Sequence, residues 1–85
     1  MPKRAKEKTV NKARRKAIEN AKGLIVEARE MLESIRDEEQ ESFDNLPESF
    51  QYGERGETMQ SKIDNLESAI SNLESTYADL EEAGE

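Results

Sequence analysis

Two groups of side chains in this 85-residue sequence have types and spacing that chemistry can use. Glu27, Glu30 and Glu33 stand at i, i+3 and i+6, a carboxylate ladder that could share a divalent cation with Asp64 or Glu67 of another helix. The order such sites require is not met. Helical Mg²⁺ sites use Glu-Glu-x-x-Glu, but Glu38-Glu39-Gln40-Glu41 is followed by Ser42. The cluster Asp37, Glu38, Glu39, Glu41 and Asp44 likewise lacks the Asp-x-Asp-x-Asp-Gly order of a calcium loop. The sequence contains no His and no Cys, which removes imidazole and thiolate chemistry, and no Ser lies in a Gly-x-Ser-x-Gly turn. The ladder therefore reads as a solvated helix face. No catalytic residue, metal, cofactor or small-molecule substrate is expected, and the chain reads as a non-enzyme.

The second group is cationic. Residues 1–22 carry nine Lys/Arg against two Glu, net +7, and the other 63 residues carry four against eighteen acidic groups, net -14. Lys8, Lys12, Arg15, Lys16 and Lys22 are the candidate contacts to nucleic acid or another polyanion, through phosphate neutralisation that weakens with salt. No aromatic residue interleaves them, so base-specific readout is not indicated. The competing expectation is pairing within the chain, with Asp79, Glu81, Glu82 and Glu85 lying beside Lys8 to Lys16. The carboxylates of the acidic body are also numerous enough to imitate a run of phosphates. The longest apolar run, Leu24-Ile25-Val26, is far short of the roughly 20 residues that cross a bilayer. With no export signal visible, a cytoplasmic protein without a membrane partner is expected.

The elements that carry these charges follow from two heptad stripes. Apolar residues recur at Ala17, Ala21, Leu24, Ala28, Met31 and Ile35, and again at Met59, Ile63, Leu66, Ile70, Leu73, Tyr77 and Leu80. Alternating steps of four and three hold one side of a helix apolar, the condition for knobs-into-holes packing. The expected fold is all-α: an antiparallel two-helix, coiled-coil-like hairpin completing a four-helix bundle by dimerisation. Its parts are a basic flexible arm over 1–9, a helix over 10–43, a structured turn over 44–56 and a helix over 57–82. Asn45 with Glu48 has capping-box spacing, and Thr58 or Gly56 is a candidate N-cap for the second helix. Gly23, beside the stripe residue Leu24, is read as a point of close helix approach.

A second row at Ile18, Ile25 and Leu32 flanks the first stripe and broadens it toward the width of a bundle helix. A single hairpin seam leaves this row half wet, so a homo-oligomer or a protein partner is expected to cover it. Phe43, Leu46, Phe50 and Tyr52 gather at the turn and are read as a plug closing the end of the hairpin. The candidate protein interface is Ile18, Ile25, Leu32, Phe43, Phe50 and Tyr52.

The segment Asp37-Glu38-Glu39-Gln40-Glu41-Ser42-Phe43-Asp44-Asn45-Leu46-Pro47-Glu48-Ser49-Phe50-Gln51, with Gly53-Glu54-Arg55 and the Ile63-Asp64-Asn65-Leu66-Glu67 repeats, resembles small uncharacterised acidic helical-hairpin proteins of bacteriophages and bacterial mobile elements. The resemblance covers about residues 36 to 82 and rests on the acidic junction, the helical repeat being common. It implies a phage or mobile-element setting and brings no activity with it. The long basic segment departs from that group. The leading expectation is a non-enzymatic helical protein-interaction protein, acting as a dimer or by docking its helix faces on a protein partner, with inhibition of a host or defence factor as one such role. The alternative is a nucleic-acid-binding accessory protein that uses the basic N-terminal segment.

Overall fold

The computed structural model describes the backbone of residues 2–85 and the side chains of residues 11–85. The chain is all-helical, with no strand among the described residues: α1 spans Pro2–Asp44, α2 is the single turn Glu48–Gln51, and α3 spans Glu54–Ala83. α1 begins at Pro2, so the backbone has no break at the expected boundary near residue 10. Proline is preorganised for the first helical position, and the Ala, Lys, Arg and Glu that follow are strong helix formers. The molecule is a rod of 73 × 14 × 13 Å. A 43-residue helix at about 1.5 Å per residue accounts for most of that length.

α1 and α3 pack against each other. Gly84 lies against Ile18, the Lys22 ammonium stands over the Tyr77 ring, and Ile35 and Glu39 share a groove with Lys62 and Leu66. Residue numbers thus fall along α3 as they rise along α1. The stripe on α3 faces inward as expected: Ile63 and Ile70 are buried, and Met59, Leu66, Leu73, Tyr77 and Leu80 are half-buried.

The stripe on α1 does not. Leu24 and Met31 are 65% and 66% exposed, and Ile35 is 47% exposed. The half-buried side of α1 instead carries Ile18, Lys22, Ile25, Arg29, Leu32, Arg36 and Phe43. This corrects the expected seam by a rotation of about one residue position. The row at Lys22, Arg29, Arg36 and Phe43 runs at seven-residue spacing into the turn, whereas the Leu24 row meets Glu38 and Ser42 before reaching it. Long Lys and Arg side chains cover apolar surface with their methylenes while the charged heads reach water, so cations interleaved with Ile18, Ile25 and Leu32 still make a packing face.

Gly23 is corrected as well, since a Cβ built there meets nothing within 4 Å and no close approach requires glycine. Gly23→Ala should therefore raise stability by about 0.5–1 kcal/mol, the usual difference between these residues inside a helix. Thermal unfolding followed by circular dichroism at matched concentration will check it, and a lowered midpoint would contradict the open geometry.

Between the long helices the capping box does not form. The N-cap of α2 is Pro47, without a side-chain cap, and α3 starts at Glu54 behind Gly53. Thr58 lies inside α3, its hydroxyl donating back to the Glu54 carbonyl at 3.0 Å. The residue that organises the junction is Gln51. Its amide nitrogen donates to the carbonyls of Phe43 at 3.2 Å and Leu46 at 3.1 Å, and reaches that of Asp44 at 3.5 Å. The end of α1 has no basic residue in its last turn; this amide adds a second donor to the Phe43 carbonyl, which also accepts from the Leu46 N–H at 3.1 Å, and ties the carbonyl of Leu46 to the same point. Gln51 also presses its backbone on Gly56, where a Cβ would fall 2.8 Å from the Gln51 Cα and closer still to its carbonyl. Glycine is needed there for space, since its φ is not positive.

Candidate functional site

The rotation of α1 decides which surface is available to a partner. Leu24 and Met31 form an apolar row on the side of α1 away from α3, and Ile35, which borders the groove with Lys62 and Leu66, continues the row at the edge of that packing. Ala17 continues the row toward the N-terminus and is exposed, and Ala21 and Ala28 lie between its large residues, half-buried. Glu27, Glu30 and Ser34 border Met31 in a shallow open groove. An apolar strip with a carboxylate border is the arrangement of a helix that docks against another helix.

Of the expected interface residues, Ile18, Ile25 and Leu32 are half-buried on the side that meets α3. They belong to the packing within the chain, with only their open edges left at the surface. Phe43 and Leu46 are half-buried at the junction, but Phe50 is about half exposed and Tyr52 is 80% exposed. The expected aromatic plug is thus reduced to Phe43 and Leu46. Phe50 borders an open groove with Gly53, Arg55, Met59 and Lys62.

Lys12, Arg14, Arg15 and Lys16 are all exposed. Arg14 and Arg15 share a groove with Ile18, Ala83 and Glu85, where the end of α3 comes alongside. The ion pairs among the described residues all lie within α1: Lys22 with Glu19 at 3.6 Å, Arg29 with Glu33 at 3.5 Å and Arg36 with Asp37 at 3.0 Å. The expected pairing of basic segment with acidic helix is thus not made by these residues. Lys22 leaves the group of phosphate candidates, because its side chain is largely buried and its ammonium sits 5.0 Å from the Tyr77 ring centroid in a cation–π contact. Lys8 lies outside the described side chains.

No protein family, curated protein or solved structure matches this chain. The function must therefore be argued from the surface itself. The carboxylates of the ladder diverge: Glu33 turns to Arg29, Glu27 and Glu30 line the open groove beside Met31, and no group of three metal-ligating side chains converges among the described residues. Arg29 Nε is shielded from water and lacks a hydrogen bond of good geometry, its approach to Glu33 being an ion pair only. No helix among the described residues is long and apolar enough to cross a membrane.

Sequence reasoning missed the exposure of Leu24 and Met31. The signal that reveals it is the position of Lys22, Arg29 and Arg36. A cation every seven residues beside Ile18, Ile25 and Leu32 looks like the wet flank of a seam, yet these stems are the seam, and the cleaner apolar stripe is the side left over.

Proposed function

We propose that this chain is a non-enzymatic, helical protein-interaction protein that docks through the outer face of α1. The observation that carries this reading is the exposure of Leu24, Met31 and Ile35 in one row on a helix already packed along its other side. An uncovered apolar row of this length is unusual on a soluble monomer and marks a docking surface. In this reading α1 and α3 form an antiparallel, coiled-coil-like hairpin that presents the row, and association completes a four-helix bundle. The acidic junction Asp37 to Gln51, similar to that of small phage and mobile-element proteins, supports a setting in which the docked protein is a host or defence factor under inhibition.

L24E/M31E places two charges in the row without touching the packing with α3. The double variant should keep the helicity of the wild type while losing association, whether with itself in sedimentation velocity or with a foreign protein in affinity capture from a bacterial lysate. Unchanged association in both assays would sink the docking reading.

A second reading, binding of nucleic acid, is favoured by one observation: Lys12, Arg14, Arg15 and Lys16 are exposed and form no ion pair among the described residues. Four phosphates neutralised would give a log–log salt slope of roughly -3 to -4 on duplex DNA, against a flat baseline if these cations serve protein contacts.

A further inference from the structure

We infer that the occupant of the outer face of α1 is a second copy of this chain, laid antiparallel with residue i opposite residue 52 - i. This rests on the reading of that face as a docking surface and names its partner. The outer row, extended by one position at each end, is Arg14, Ala17, Ala21, Leu24, Ala28, Met31, Ile35 and Glu38. Two copies in this register put Leu24 against the partner's Ala28, Met31 against the partner's Ala21 and Ile35 against the partner's Ala17. Every large side chain then faces an alanine, the alternation that lets layers interdigitate without voids.

Charge selects the same arrangement. Lys12, Arg14, Arg15 and Lys16 cluster at one end of the described part of α1, and Asp37, Glu38, Glu39 and Glu41 at the other, with Arg14 and Glu38 on the row itself. Antiparallel copies bring Arg14 opposite the partner's Glu38 at both ends of the row. Parallel copies would set cations on cations and carboxylates on carboxylates. A one-heptad shift of the antiparallel pair is poorer: with residue i opposite 59 - i, Ala21 meets Glu38 and Leu24 meets Ile35. In the 52 - i register the open edges of Ile18, Ile25 and Leu32 turn toward the two-fold axis, where Ile18 comes near the partner's Leu32 and Ile25 near its own copy.

The chain has no cysteine, so introduced thiols report the register directly. Mild oxidation of A17C/I35C should yield a covalent dimer. A17C or I35C alone should not, because each would lie 18 positions, about 27 Å along the helix, from its own copy. Independently of the thiols, R14E and E38R should each weaken self-association about tenfold through like-charge contacts at both ends, while an equimolar mixture restores it, since the two variants then meet with opposite charge at both ends. Circular dichroism verifies that every variant is folded. A folded wild type that stays monomeric at high micromolar concentration overturns the inference. So does cross-linking of the single variants in place of the double, or a mixture no tighter than its components. A monomer that still captures a foreign protein through Leu24 and Met31 overturns the second copy and leaves the docking reading standing, whereas loss of both removes the two together.

Discussion

Gly56→Ala should lower stability by about 2–3 kcal/mol, although alanine is the better helix residue by about 1 kcal/mol. Gly56 is buried in the first turns of α3 with the Gln51 backbone directly over its Cα, and a Cβ would stand 2.8 Å from the Gln51 Cα. Backbone cannot rotate out of the way as a side chain can. The added methyl must push α2 off α3, and Gln51 moves with it. The Gln51 amide would then leave the carbonyls of Phe43 and Leu46, so a clash on α3 also removes the side-chain tie between α2 and the end of α1. Urea unfolding of wild type and G56A at equal concentration measures the sum. A variant as stable as wild type would show that the junction yields without cost, and the account of Gln51 as its organiser would be abandoned. The comparison with Gly23→Ala is informative because the chemical change is identical: one site is open and the other is filled, so the signs should be opposite.

That pair of glycines also shows what is legible in the sequence. Both are isolated glycines in helix-forming surroundings, and nothing local says which one another strand of backbone crosses. Gly23 adjoins Leu24 of the apolar stripe and attracts the close-packing assignment, yet it faces open space. Gly56 lies in the turn composition around Gly53 and Glu54 and reads as a cap, yet it lies inside α3 with its hydrogen available as room for Gln51. Close approach is a tertiary fact, and only a long-range contact reveals it. The helices themselves were readable, because α3 has a single apolar row with no competitor. α1 has two rows one residue apart, and the choice between them depends on whether Lys22, Arg29 and Arg36 count by their charge or by their stems.

The candidate site inherits that ambiguity. The large residues of both rows are visible as apolar positions, but the heptad pattern inverts their assignment: it puts Leu24 and Met31 inside and Ile18, Ile25 and Leu32 on the flank, whereas the first two are exposed and the other three half-buried. The charge division between residues 1–22 and the rest was plain from composition. What composition could not say is whether the basic segment finds its carboxylates on α3, and among the described side chains it forms no ion pair there.

The interior of this rod is thin, and that sets the second large effect. Ile63 is 1% exposed and is the largest fully buried side chain, at the level where Ile35 and Glu39 of α1 meet Lys62 and Leu66 of α3. Ile63→Ala removes three carbons from a position with no access to water, and such truncations typically cost 2–5 kcal/mol through lost transfer energy and the cavity left behind. A rod only two helices thick can collapse into part of that cavity, which argues for the lower half of the range, about 2–3.5 kcal/mol. Even this is a large share of the roughly 5–15 kcal/mol that stabilises a domain, so the variant should lose much of its cooperative melt. Ile63→Val, which removes one carbon, should cost about 0.5–1.5 kcal/mol. Leu24→Ala supplies the decisive contrast, because Leu24 is 65% exposed within one chain. If nothing covers α1, that variant should melt like the wild type at every concentration. If a second copy covers it, its deficit should be absent in dilute protein and grow as concentration rises, because association stabilises only the folded form that binds. The deficit of Ile63→Ala arises inside one chain and should be present even in dilute protein, where association contributes nothing.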